Sequence, residues 1–233
     1  RLCTVSTVDP NGPQIAEGRD SVIYEHGPQR VLRAARDGRS LVAEAEVMTY
    51  ARSRGFPVPR VHDAGPGYLV MDRITGPTML DDAIPLRLRR HGALLAQLHQ
   101  QLHGIPAPHW LARHAPLEGD RLLHGDLHPL NVLMTDEGPM VIDWSNASRG
   151  APAFDVADAW SLFACADPPD IPVAALVVPV GRRLFLRGFL DGVDRAAAAR
   201  AMPAVVRERM SDPNISDTEK RRMKRLAAGL TGS

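Results

Sequence analysis

HGDLHPLN at residues 124–131, with VIDW at residues 141–144, holds the densest set of chemically capable side chains in this 233-residue chain. Gly125 and Pro129 discourage a helix, so Asp126 and Asn131 belong on a loop. Asp143 follows Asn131 by twelve residues, enough for a short hairpin to return it beside that loop. A carboxamide and a carboxylate brought together are hard oxygen ligands suited to Mg²⁺. The remaining carboxylate, Asp126, is then free to accept a proton from a hydroxyl held nearby.

Outward from the loop, RLLH (121–124), NVLM (131–134) and MVIDW (140–144) read as short strands, the last two joined by the turn Thr135-Asp136-Glu137-Gly138. Before them, Leu88, His91, Leu95, Leu98 and Leu102 recur at the spacing of an amphipathic helix. The chain after Phe154 is rich in Ala, Leu and Arg and reads as helical, with Ser216-Asp217-Thr218-Glu219 as a capping box opening the last helix. The first eighty residues read mainly as strands: SVIYE (21–25) and RVLR (30–33) around His26–Gln29, then VPRVHDAG and GYLVMDRI around Gly65-Pro66-Gly67. One helix interrupts them, with Ser40 as expected N-cap and Gly55 placed to stop it after Arg54. The expected class is α+β, with a strand-rich lobe over residues 1–75 and a mostly helical one over 76–233.

Base, Asn and metal-binding Asp in this order match the phosphoryl-transfer pattern H-x-D-x-x-x-x-N followed by D. The segment HGDLHPLNVL…VIDW resembles the aminoglycoside phosphotransferase and choline kinase-like families, small-molecule kinases of protein-kinase-like fold. The likeness continues in GAPAFDVA (150–157) and, upstream, in GRDSVIYE, AEAEVM and GFPVPRV. It implies an antiparallel-sheet N-terminal lobe that binds ATP or GTP and a helical lobe that carries catalysis and binds a small hydroxyl acceptor. Carried over by residue, Asp126 would be the catalytic base, with Asn131 and Asp143 holding Mg²⁺. Glu44 would pair with the strand residue that touches the nucleotide phosphates. That residue is lysine in the family and Arg33 here, an exchange that keeps charge but not shape. Met71, Asp72, Arg73 and Ile74 would follow the adenine edge, Ser21 would lie in a phosphate-covering turn with Gly18 and Asp20, and Asp155 would brace the catalytic loop.

Two rival functions share these residues. Arg33 allows a nucleotide-binding pseudokinase or regulatory module without turnover. His124, Asp126 and His128, alternating on an extended segment, allow a metallohydrolase. Other chemistries are excluded by composition. Of 28 basic residues only Lys220 and Lys224 are lysines, each followed by Arg, so no P-loop lysine exists. The net charge of +1 gives no electrostatic reason for a nucleic-acid or membrane partner. Cys3 and Cys165 are too few for a disulfide framework, and the longest apolar run, Ile171–Val180, is ten residues with two prolines. These features, with no signal-peptide pattern at the first residues, point to a cytoplasmic protein whose oligomeric state is left open. Residues 76–210 carry 13 basic and 15 acidic groups, little bias toward a polycationic acceptor. Asp158, three residues after Asp155, is the first candidate for touching an acceptor, ahead of Asp167 and Asp170.

Overall fold

The computed structural model describes residues 12–18, 20–114, 118–168 and 174–231; Cys3 and Asp170 lie outside them. The chain packs as two units. Among the described residues, one comprises those up to Gly76 together with Leu133–Ser145, and the other comprises those of Pro77–Val132 and from Asn146 onward. The return of Leu133–Ser145 to the first unit is not part of the division read from the sequence.

The first unit is built on a five-stranded antiparallel sheet of order β1-β2-β3-β5-β4, with β1 Gln14–Glu17, β2 Ser21–Glu25, β3 Arg30–Ala35, β4 Val61–Gly65 and β5 Tyr68–Asp72. Both hairpins anticipated around residues 26–29 and 65–67 are present, with Gly27 and Gly67 at positive φ. β3 is central, pairing Arg33 with Ile23 on one side and Leu69 on the other. Helix α1, Val42–Ser53, packs on β4 and buries Glu44, Ala45, Val47, Met48 and Ala51. Its N-cap is Leu41 and not Ser40. The Ser40 hydroxyl reaches only the Val42 N–H, at 3.4 Å, because Ser40 is held as a bridge partner of Pro66. Gly55, at φ 81°, ends the helix as its sequence position suggested.

β7, Val132–Thr135, and β8, Gly138–Val141, form the hairpin after the loop. Asn131 is not in a strand but closes a 3₁₀ turn over Pro129–Asn131. Past Val141 the chain leaves the sheet. Trp144 anchors it to the first unit, its ring edge-on to Phe56 at 5.6 Å and its indole N–H donated to the Val141 carbonyl.

The second unit is helical: α2 Leu88–His103, α3 Pro152–Cys165, α4 Ala174–Asp191, α5 Arg195–Arg209 and α6 Asp217–Thr231, with the small pair β6 Arg121–Leu123 and β9 Ser148–Gly150. The leucine stripe of α2 is core, with Leu95, Leu98 and Leu102 all at most 2% exposed. Gly92 lets α4 approach α2, since a Cβ there would lie 2.1 Å from the Phe185 carbonyl oxygen. The capping box forms as read: the Ser216 hydroxyl accepts from the Glu219 N–H at 3.1 Å, and the Glu219 carboxylate accepts from the Ser216 N–H at 2.9 Å. Among the described residues, no helix is long and apolar enough to cross a membrane.

Candidate active site

The loop at 124–131 is held from beneath by Asp155. Its carboxylate accepts the backbone N–H of Gly125 at 2.8 Å and of His124 at 3.1 Å, and the His103 ring nitrogen lies 3.0 Å away. Burial opposes the charge of Asp155, but the His103 hydrogen bond and the neighbouring imidazoles outweigh it and hold the carboxyl well below the usual range. Gly125 sits at φ 76°, a conformation that suits glycine, and its α-carbon lies close against the Asn146 backbone.

Above that brace, Asp126 and Asn131 meet. The Asn131 amide nitrogen donates to the Asp126 main-chain oxygen at 2.9 Å and to Asp126 Oδ2 at 3.2 Å, within 3.4 Å of His128 Nε2. Asn131 Oδ1 carries none of these bonds and is the oxygen available to a cation. Burial works against ionisation of Asp126, yet His128, Arg209 and His124 together bring its pKa down to about 2. A carboxylate with that pKa is charged throughout the neutral range.

Arg209, at the end of α5, is the residue the sequence reading missed. Its Nη2 lies 3.3 Å from Asp126 Oδ1, while Nε and Nη2 clasp Asp158 and Nη1 lies 3.3 Å from Asp212 Oδ2. Nothing in the local sequence marks a contact spanning 83 residues. The same clasp removes Asp158 as an acceptor contact. It is 3% exposed, and burial pushes its pKa up to about 6 despite the guanidinium. Asp167 is similarly committed, to Arg222 at 2.7 Å and the Ser216 hydroxyl at 2.7 Å.

In the first unit, Arg33 and Glu44 form a fork of 2.6 and 2.9 Å, and both are buried. Burial raises the Glu44 pKa and Arg33 counters it. Arg33 Nη1 also lies 3.6 Å from Asp143 Oδ1. Asp143 has φ 62°, the one non-glycine residue at positive φ among those described, and Ser145 Oγ donates to its Oδ1 at 3.0 Å. Its side chain is 48% exposed. Asp is among the residues that enter this left-handed region most readily. Asn131 and Asp143 thus each offer a hard, accessible oxygen, the donor type Mg²⁺ takes.

Met71 and Asp72 end β5, with Arg73 and Ile74 just beyond. The Asp72 N–H is used by the Arg60 carbonyl and the Arg73 N–H by the Gln29 carbonyl, and the Arg73 side chain pairs with Glu25 at 2.7 Å. Ser21 opens β2, its carbonyl accepting the Gly18 N–H at 2.9 Å. The metallohydrolase set is not assembled. Among the described residues, the three-residue group whose ligand atoms lie within 4.8 Å of one another is His99, His103 and Asp155, not His124, Asp126 and His128. Cys165 is buried and its thiol pushed up to about 11 by that burial, which makes it a poor nucleophile.

The residue pattern of the phosphotransferase enzyme family (APH) matches residues 12–118 and 106–198. The chain belongs to that family. Solved structures of the same fold include a choline/ethanolamine kinase family protein from Mesorhizobium loti, at 17% identity and TM-score 0.54, covering 96% of this chain and 88% of that one. The APH(2")-IIa–gentamicin complex aligns with TM-score 0.62 at 13% identity, over 94% of this chain and 89% of that one. The streptomycin–ATP ternary complex of APH(2")-IIa aligns with TM-score 0.57 at 16% identity, over 95% and 91%. The α+β, protein-kinase-like fold expected of this phosphotransferase family member is therefore its fold. A probable bifunctional tRNA threonylcarbamoyladenosine biosynthesis protein from Methanoculleus marisnigri is 26% identical over 160 residues, 63% of this chain. The chain spans 27% of that relative's length.

Proposed function

We propose that this phosphotransferase family member is a small-molecule kinase that transfers the γ-phosphoryl group of ATP or GTP to a hydroxyl of a small acceptor. The observation that carries the reading is the Asp126–Asn131 pair on a loop whose backbone is pinned by Asp155. A nucleotide co-substrate accords with the ATP in the aligned ternary complex.

In this reading the acceptor oxygen forms a bond to the γ-phosphorus as the bond from that phosphorus to the β–γ bridging oxygen breaks. The hydroxyl proton passes to Asp126. A carboxylate with a pKa near 2 is a weak base, so its work is to align the O–H and to receive the proton late. That suits a loose transition state, in which positioning matters more than proton abstraction. His128, Asn131 and Arg209 hold the Asp126 carboxylate in one orientation. Asn131 and Asp143 would hold Mg²⁺, which neutralises charge on the phosphate oxygens. Arg33, oriented by Glu44, would face the α- and β-phosphates, and Met71–Ile74 with Ser21 would border the nucleotide.

The test is a nucleotide-consumption screen with Mg²⁺ over aminoglycosides, amino alcohols and sugars, run beside Asp126→Ala. Acceptor-dependent phosphorylation that disappears in Asp126→Ala supports the reading. Nucleotide binding with no transfer over the whole panel, or equal transfer by Asp126→Ala, overturns it.

A further inference from the structure

The histidine pair beneath the catalytic loop has a hydrogen-bonding problem that points to a ligand. His99 and His103 lie four residues apart on α2 and share a face, toward which α3 directs Asp155. His103 Nε2 is 3.0 Å and His99 Nδ1 3.9 Å from the same oxygen, Asp155 Oδ2. His99 Nε2 lies 3.2 Å from the Leu127 carbonyl, which can only accept, so the ring proton belongs on Nε2. Nδ1 then presents a lone pair. It is fully buried and has no hydrogen-bond partner. Across the gap from it stands an ionised carboxylate oxygen, a second acceptor.

That oxygen already accepts from the His124 N–H and from His103 Nε2, so the unmet group is His99 Nδ1, a buried acceptor aimed toward the carboxylate that calls for a positive partner. We propose that His99 Nδ1, His103 Nε2 and Asp155 Oδ2 form a second metal site, for Zn²⁺ or a similar borderline-soft divalent cation. Two imidazoles and one carboxylate are a donor set such ions take, and one that hard Mg²⁺ does not favour. Ligand atoms around a tetrahedral zinc stand about 3.3 Å apart; the two separations to Asp155, 3.0 and 3.9 Å, straddle that spacing, and all three ligand atoms lie within 4.8 Å of one another. The supporting contacts are also in place. The Leu127 carbonyl fixes the His99 tautomer, and the backbone N–H groups of His124 and Gly125 hold the Asp155 carboxylate. His103, with its side chain 9% exposed, is the least enclosed of the three, and metal binding there would release its Nε2 proton. The site ties α2 to α3 directly under the loop that carries Asp126, and it is independent of the kinase reading.

The experiment uses the full, tag-free chain, stripped by chelator and titrated with Co²⁺ in place of Zn²⁺. About one equivalent of tightly held cobalt with the intense visible bands of tetrahedral coordination is expected, undisplaced by excess Mg²⁺. In His103→Gln, at the least enclosed of the three positions and checked for folding by circular dichroism, affinity should fall by about tenfold or more and the bands should vanish. Either of two results overturns the site: wild-type protein that retains no cobalt, or bands and affinity unchanged in folded His103→Gln. Neither readout involves phosphotransfer, so this proposal can fail while the kinase reading stands.

Discussion

Arg33 holds Glu44 through two parallel hydrogen bonds, of 2.6 and 2.9 Å, in a buried part of the first unit. Where the family pattern has a lysine, this chain thus has a planar donor that uses both terminal nitrogens on one carboxylate. Arg33→Ala would leave the buried Glu44 charge without its partner, and loss of about 3–5 kcal/mol of stability is expected. The double variant Arg33→Met/Glu44→Leu removes both charges and should recover most of that loss. Chemical denaturation of Arg33→Met, Glu44→Leu and the double variant measures the coupling. Additive losses would show that the fork contributes nothing.

Gly125 places the loop that carries Asp126. At φ 76°, with a Cβ position 2.5 Å from the Asn146 carbonyl oxygen, it has room for no side chain. Gly125→Ala should cost about 1–3 kcal/mol and displace Asp126 from its brace, lowering turnover well beyond the loss in stability. Thermal denaturation with turnover assays checks it. A variant of wild-type stability and rate would mean the loop can shift freely.

Among the groups that shape the pH dependence of stability, two fully buried ones act in opposite directions. His99 falls from 6.5 to about 4 on folding, so between those values the unfolded chain binds the proton and stability rises with pH. Asp158 rises from 3.8 to about 6, so in that window the folded chain binds the proton and stability falls with pH. The two act in opposite directions over the pH range in which their windows overlap. In metal-free buffer, His99→Gln should therefore lose stability as pH rises through this range, and Asp158→Asn should gain it. Melting curves across the window decide the matter. Slopes of the same sign in both variants would contradict the assignment.

The parts of this molecule legible in its sequence are those fixed by neighbours. The β2–β3 and β4–β5 hairpins follow from strand-forming runs around glycine turns, α2 from a repeating apolar stripe, and the α6 capping box from four adjacent residues. The loop residues Asp126 and Asn131 were legible because their order and spacing are themselves the pattern. What depended on distant packing was not. Asp158 reads as an acceptor contact until Arg209 arrives from another helix to bury it. The orphaned nitrogen of His99 exists only because Leu127 and Asp155 come from two different segments. Ser40 has the right side chain for a cap, yet its bridge to Pro66 moves the helix start past it.

The most direct test of the catalytic account is a crystal structure of the chain with Mg²⁺ and a non-hydrolysable nucleoside triphosphate. The account predicts Asn131 Oδ1 and an Asp143 carboxylate oxygen on the same ion, at about 2.0–2.1 Å, with Asp126 facing the space beyond the γ-phosphate. An ion bound without either residue, or a triphosphate ending away from Asp126, would contradict it.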